Sequence, residues 1–404
     1  MRAKPAQTLP LPSVTKKAPR QSNFEWLRIV CMLLILLFHF SVYSGIDEEA
    51  AGLSAKIFLW IFQYAGKVGV NAFLMVSAWF LCMTGGFKPS KFVRVWLPLF
   101  FWVAFVGLFF HFLPALRLEY NLYYWRKTLL PFTTNSLWYA TMYLTIYCMS
   151  PMLNAAVRGM DRKAHKWLLL CMFILFSVVP FLTNGVGPFD DQDSFLYFVF
   201  VYMFIAYIRK YDLKLFRYQW TGWLMFLLSW TGMYWLGVWN EAAELDLAVR
   251  TNYTPLMLTC ALGLFTAFKN MKAKPNAAVN VIASATFGIY ILHEHDFLRK
   301  IIWQGWFYRT KEWYYQQPTF IPYAIGVALL VFVAGAVLDL ARQYLLERPL
   351  FALVDVISSR TKAKKAAKAK AEADRAAKIA RAKKAGHRKK KAARGKKQNA
   401  KGKR

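Results

Sequence analysis

Long apolar runs, broken by short polar stretches, fill most of this chain. Ten of them approach the roughly 20 residues that a helix needs to cross a bilayer. They lie at about 26–44, 66–83, 95–114, 136–153, 167–183, 194–208, 219–239, 254–268, 279–295 and 321–340, the sixth and eighth being short. The pattern predicts an all-α polytopic membrane protein with about ten transmembrane helices. The first run does not read as a cleavable signal. A polar leader of 25 residues precedes it, and Phe38, His39 and Phe40 stand where a cleavage site needs small side chains.

Charge divides the polar stretches into two sets. The leader, the loops after even-numbered runs and the stretch after the last run carry 21 Lys and Arg, among them Lys88, Lys91, Arg94, Arg158, Lys210 and Lys269. The opposite loops carry ten, together with acidic clusters at 47–49, 190–191 and 241–246. The positive-inside rule therefore predicts that both termini are cytoplasmic, as an even number of spans requires. The expected location is the cell membrane, crossed many times.

Composition sharpens this picture. Of the 404 residues, 57% are hydrophobic and 18% are charged, whereas a soluble chain carries about a quarter charged residues. A soluble, disordered or disulfide-built body is excluded. The net charge of +32 is concentrated at one end, since residues 360–404 hold 21 Lys and Arg against two acids. Three regions follow: a basic cytoplasmic leader at 1–23, a membrane domain at 24–345, and a Lys/Ala-rich cytoplasmic tail at 346–404. Like-charge repulsion opposes helix in the free tail, which is expected to be disordered. Anionic lipid headgroups are its expected partner, at roughly 1 kcal/mol per charge near the surface. Nucleic acid is disfavoured, because the basic patch lacks a folded scaffold. The five cysteines lie in apolar runs without a C-x-x-C pair and read as small packed hydrophobes.

Inside a membrane the informative residues are the ionisable ones. Arg28 and His39 share the first run, eleven residues apart. That is about 16 Å along a helix, with a rotation that returns to within about 20° of the start. Both therefore face the same way, Arg28 at the cytoplasmic end and His39 in the outer half. Glu25 lies three residues before Arg28 and can pair with it. Taken singly, Arg28 could be an interfacial anchor and His39 a packed polar residue. Together they suggest a polar path from the cytoplasm into the bundle.

Lys91 and Arg94 share a helical face at the entrance to the third run. They read either as ordinary positive-inside charge or as a clamp for an anionic group, to which the phosphates of coenzyme A would fit. Asn71 and Ser77 interrupt the second run, where such groups more often join helices than do chemistry. Trp138 and Tyr147 belong to an aromatic-rich fourth run that fits an interfacial belt. His293, Glu294, His295 and Asp296 close the ninth run, but without the H-E-x-x-H spacing, so no metal site is expected.

These features together resemble the acyltransferase 3 family of bacterial integral-membrane O-acyltransferases. The likeness rests on Glu25-Trp26-Leu27-Arg28 followed by His39, and on Phe73 through Phe80. It rests also on Lys91 and Arg94 leading to Leu97-Pro98, on Leu137-Trp138-Tyr139 with Tyr147 and Ser150-Pro151, and on Gly288-Ile289-Tyr290-Ile291-Leu292-His293. It covers about residues 24–345. Two positions depart from the family pattern: Ala78 stands where a glycine is usual, and Lys91 where an arginine is expected. The resemblance implies transfer of an acetyl or similar acyl group from cytoplasmic acyl-CoA, a cosubstrate and not a resident cofactor. The acceptor would be a hydroxyl of a cell-envelope glycan or lipid-linked saccharide. It implies His39 as general base, with Arg28 and Glu25 in the catalytic group, and Lys91 and Arg94 as donor-binding residues. Ser77, Asn71, Trp138, Tyr147 and His293 would line the acceptor side or the pocket. A secondary transporter or flippase for an envelope precursor is the alternative that ten spans and intramembrane charge also accommodate.

Overall fold

A computed structural model describes residues 21–112, 121–185, 195–307 and 315–359, with four isolated positions in the tail. The leader before residue 21, the acidic pair at 190–191 and, apart from those four positions, the tail from residue 360 lie outside the described residues. The chain divides into two compact units, Met1–Asp339 and Leu340–Arg404.

The described residues are helical, with no strand among them. In chain order the helices begin with α1 (Ser22–Tyr43), α2 (Leu53–Phe62), α3 (Ala65–Leu81), α4 (Pro89–Phe112), α5 (Leu122–Leu129) and α6 (Trp138–Gly159). There follow α7 (Arg162–Phe173), continued through a wide π turn into α8 (Val179–Leu182), then α9 (Phe195–Tyr211), α10 (Gln219–Ala242) and α11 (Pro255–Lys269). The series closes with α12 (Ala277–Ser284), α13 (Thr286–Glu294), α14 (Asp296–Arg299) and α15 (Phe320–Arg342). Each of the ten expected spans coincides with one helix or a continuous helical pair. Six stretches are long and apolar enough to cross a membrane: Ser22–Tyr43, Leu53–Leu81, Pro89–Phe112, Arg162–Leu182, Ala277–Glu294 and Phe320–Ser359. Of the other four expected spans, α9 and α11 are short, at 17 and 15 residues. The remaining two, α6 and α10, owe their bulk to Tyr, Trp, Thr and Gly rather than to aliphatic residues.

Glycines set the closest helix contacts, as expected where lipid gives helices no hydrophobic reason to associate. Gly222 of α10 and Gly263 of α11 each face the other helix's backbone. A Cβ at Gly222 would overlap the Ala267 amide, and one at Gly263 the Phe226 amide. Along the α1–α3 seam, Gly69 leaves room for the Cys31 carbonyl, which a Cβ would meet at 2.7 Å. Gly288 of α13 faces the Asp339 carboxylate, and a Cβ there would overlap it. Asp339 is buried and accepts a hydrogen bond from Trp102 Nε1 at 2.8 Å, so α4, α13 and α15 meet at this point.

A second contact fixes α1 against α12. The Ser22 hydroxyl donates to Asn280 Oδ1 at 3.1 Å and accepts from the Asn276 backbone N–H at 2.9 Å. Asn276 in turn caps α12 through Val279 N–H at 3.1 Å. The cysteines divide. Cys31, Cys82 and Cys260 are buried, but Cys148 and Cys171 face outward, so only three pack as core hydrophobes.

In the unit beginning at Leu340, the helical chain runs on to Ser359 and exposes Leu345, Leu346, Leu350, Leu353 and Ile357. Within it Arg342 pairs with Glu347 at 2.6 Å.

The glycine contacts are testable by thermal unfolding in detergent. Gly288→Ala and Gly263→Ala should each lower stability by about 1–3 kcal/mol, the usual cost of overpacking. Gly326→Ala, where a Cβ meets nothing within 4 Å, should be neutral or slightly stabilising.

Candidate functional site

Apolar surroundings leave a buried polar side chain few partners, so the partners it has are informative. His39 lies on α1, one turn from the helix end. Its Nδ1 stands 2.9 Å from Nε2 of His293 on α13 and 3.3 Å from Oε1 of Glu294. His293 is almost fully buried, and its Nδ1 lies 2.7 Å from the Ile289 carbonyl one turn back. A carbonyl can only accept, so His293 carries its proton on Nδ1 and presents a lone pair at Nε2. That lone pair accepts from His39 Nδ1–H. The lone pair of His39 is thereby placed on Nε2, the nitrogen that can take a proton from a substrate. Glu294 stands ready to stabilise the imidazolium that would result.

This arrangement is held from outside. Tyr43 stacks on His39 with ring centroids 5.3 Å apart. The Arg299 guanidinium lies over Tyr43 at 5.2 Å and reaches Glu294 Oε2 at 3.8 Å. After Glu294 the chain turns out of the helix at His295, and Asp296 begins α14. There Lys127 of α5 bridges to Asp296 at 2.8 Å. Burial pulls the Lys127 ammonium toward neutrality, but its hydrogen bonds to Asp296 and Tyr123 outweigh that and hold its pKa above the usual value. A raised lysine keeps its full contribution below about pH 10 and loses it only as pH climbs further, so the bridge is intact at neutral pH.

At the opposite end of α1, Arg28 Nη1 contacts both Glu25 oxygens, at 3.0 and 3.3 Å. Arg28 also lies within electrostatic reach of Tyr139 and Tyr143 of α6, and Tyr143 faces Ser77 of α3. From there a line of rings continues. Tyr139 packs on Tyr290 at 5.6 Å, and Tyr290 on His293 at 6.1 Å. The two ends of α1 are thus joined by tyrosines from α6 and α13.

The remaining expected residues fall into two groups. Lys91 and Arg94 are exposed at the start of α4, and the Tyr147 hydroxyl donates to the Lys88 carbonyl at 3.0 Å, tying α6 to that basic loop. Asn71 and Trp138 are engaged elsewhere. Asn71 donates to the Asn252 carbonyl at 2.9 Å and joins α3 to the segment before α11. Trp138 packs edge-on against Phe198 at 6.0 Å. Sequence reasoning placed His293 as a lining residue, noted Glu294 only as a member of the polar cluster that closes the ninth run, and missed Arg299 and Tyr43. Tyr43 is four residues from His39, a spacing that would have revealed it. Glu294 and Arg299 straddle a helix break, and their spacing therefore carried no signal.

With the geometry in hand, comparison with known proteins is decisive on one point. The sequence model of the acyltransferase 3 family, described as an acyltransferase domain, matches residues 21–339. The chain belongs to this family. No curated protein and no solved structure matches it. This acyltransferase is thus a multi-pass membrane enzyme by family and by helix content.

His39, His293 and Glu294 also offer one ligand atom each, all within 4.8 Å of one another, a grouping that could hold a metal ion. A metal would use the same Nδ1 and Nε2 atoms that form the 2.9 Å contact. Proton relay and metal binding are therefore mutually exclusive in this acyltransferase. The relay has a spectroscopic signature. In ¹⁵N-histidine spectra at neutral pH, both His39 and His293 should report protons on Nδ1. An Nε2–H signal from His293 would overturn the assignment.

Proposed function

We propose that this acyltransferase moves an acetyl or other short acyl group from acyl-CoA to a hydroxyl of a cell-envelope glycan or lipid-linked saccharide. The observation that carries the reading is the relay from Ile289 through His293 to His39, which orients one imidazole lone pair and places a carboxylate beside it. Acyl transfer from a thioester to an alcohol needs that equipment.

His39 Nε2 takes the proton of the acceptor hydroxyl as its oxygen attacks the thioester carbonyl. The C–O bond forms, the carbonyl oxygen becomes an oxyanion, and His39 becomes an imidazolium facing Glu294. Collapse breaks the C–S bond. The leaving thiolate takes the proton back from His39, giving the ester and free coenzyme A. Glu294 lowers the energy of the imidazolium without taking the proton, and His293 keeps the ring from turning.

The donor is assigned to the basic end. Arg28, held by Glu25, stands at the head of the tyrosine line, and Lys91 and Arg94 flank the same cytoplasmic edge in the orientation set by loop charge. Coenzyme A phosphates would pair with these cations, while the pantetheine arm follows Tyr143, Tyr139 and Tyr290 toward His39. The basic tail is assigned to anionic lipid headgroups.

Calorimetry with acetyl-CoA separates the two ends of this scheme. The Lys91→Ala/Arg94→Ala pair should weaken binding, and His39→Ala should leave it intact. In transfer assays His39→Ala should lose on the order of 10²–10⁴-fold, and Glu294→Gln on the order of 10²-fold. Full transfer by folded His39→Ala would sink the base assignment. Chelation should leave the rate unchanged. Inactivation by chelator, restored by a divalent ion, would replace the relay with a metal.

A further inference from the structure

A large cavity opens at the His39 end of α1, away from the Lys88–Arg94 loop. Its volume is about 630 Å³. The walls come from the end of α1 and the turn after it, from the α2–α3 junction, and from the end of α10 with the loop before α11. It reaches the candidate base by way of Phe38, the neighbour of His39 on α1. Phe38 lines the cavity, and its ring centroid lies 5.4 Å from that of His39. Lys67 also lines it and stands 5.9 Å over the Phe38 ring.

The lining is rich in polar groups. Ser41, Gln63, Asn184, Asn240 and Thr251 contribute hydroxyl and amide groups. Several are turned away into local bonds. Asn240 Oδ1 accepts from the Leu247 N–H at 2.8 Å, and Asn184 donates to Asp246 at 2.6 Å. The Gln63 amide makes no side-chain hydrogen bond among the described residues, although it sits where α2 breaks into α3. Charges in the cavity are balanced, with Lys67 and Arg250 against Glu48 and Glu241. Arg250 and Glu241 are paired with each other at 3.0 Å. A site built for an acidic ligand would show surplus cation, and a site for a lipid chain would be apolar. This one offers directional donors and acceptors with no net charge, in a volume typical of small-molecule pockets.

We propose that this cavity is the acceptor pocket, and that it takes a neutral, hydroxyl-rich saccharide unit of about one or two rings. The inference rests on the acyl-transfer reading above and adds to it the place and chemical class of the acceptor. The reacting hydroxyl would pass the Phe38 edge to reach His39 Nε2. The donor would arrive from the opposite end along the tyrosines, so the two substrates meet at one histidine without sharing a mouth.

Position 63 allows the test, because its side chain holds no local structure together. Three readouts are compared in wild type, Gln63→Trp, which fills the cavity, Ser41→Trp, which fills it from the opposite wall, and Gln63→Ala. They are acetyl-CoA binding, acetyl-CoA hydrolysis with water as acceptor, and ester transfer to envelope glycan isolated from the expressing cells. Both Trp variants should lose transfer to glycan by about tenfold or more while keeping donor binding and hydrolysis within about twofold. Gln63→Ala should raise the acceptor KM and leave the donor KM unchanged. Excess free maltose should compete with the envelope acceptor, and excess glucuronate should not. Undiminished glycan transfer in both Trp variants overturns the pocket. Competition by glucuronate rather than maltose overturns the neutral class. If wild type neither binds nor hydrolyses acetyl-CoA, the acyl-transfer reading fails first. The cavity is then judged by labelling Gln63→Cys in intact cells with an impermeant maleimide. Labelling retained in the presence of excess maltose overturns the pocket, and protection by maltose supports it.

Discussion

The contact between His39 and His293 joins residues 254 positions apart in the chain. It exists only if α1 and the α12–α13 pair keep one register along their whole shared length. That register is fixed at both ends. Ser22 meets Asn276 and Asn280 at one end, and His39 meets His293 at the other. The two stretches run in the same direction, and a break at Ala285 divides the second into α12 and α13. Sliding either helix by a single residue would turn one histidine by about 100° and separate the pair. Everything assigned to this site follows from that alignment: the fixed tautomer, the carboxylate beside it, and the ring line leading back to Arg28.

Neighbouring helices support the alignment through contacts that tolerate little substitution. Gly288 lets Asp339 approach α13 one turn and a half before His293, and Trp102 occupies the carboxylate from α4. A charge-bearing side chain buried in apolar surroundings is costly unless it is satisfied. Asp339 therefore holds α13 from behind while α1 holds it from the front. On the far side, Arg299 and the Lys127–Asp296 bridge anchor the turn that follows Glu294.

Much of this was legible in the sequence, and what was not has physical reasons. All ten expected helical segments coincide with observed helices, because an apolar run in a membrane has no option but to satisfy its own backbone. The Glu25–Arg28 pair and the shared face with His39 follow from helical arithmetic alone. His293 was recognisable as a polar residue near the outer end. Its direct contact with His39 was not, since the approach of helices distant in sequence leaves no periodic trace. Glu294 was visible only as part of the polar cluster closing the ninth run, because the helix ends at His295, where side-chain spacing stops reporting direction. Asn71 could by sequence join helices or line a pocket, and its amide donates to a backbone carbonyl before α11. The cavity near Phe38 was invisible to sequence because it is assembled from the ends of four separate segments.

The pairing of α1 with α12 and α13 also bears on how the enzyme is made. Helices enter the membrane in the order of synthesis, so α1 arrives first and its polar residues wait without their final partners. Ser22 and His39 must be tolerated by lipid, water or provisional neighbours until residues 276–293 have left the ribosome. The chemistry of the site is therefore the product of late assembly. A nascent chain stopped before α12 would hold most of its helices and neither of the contacts that α1 makes through Ser22 and His39.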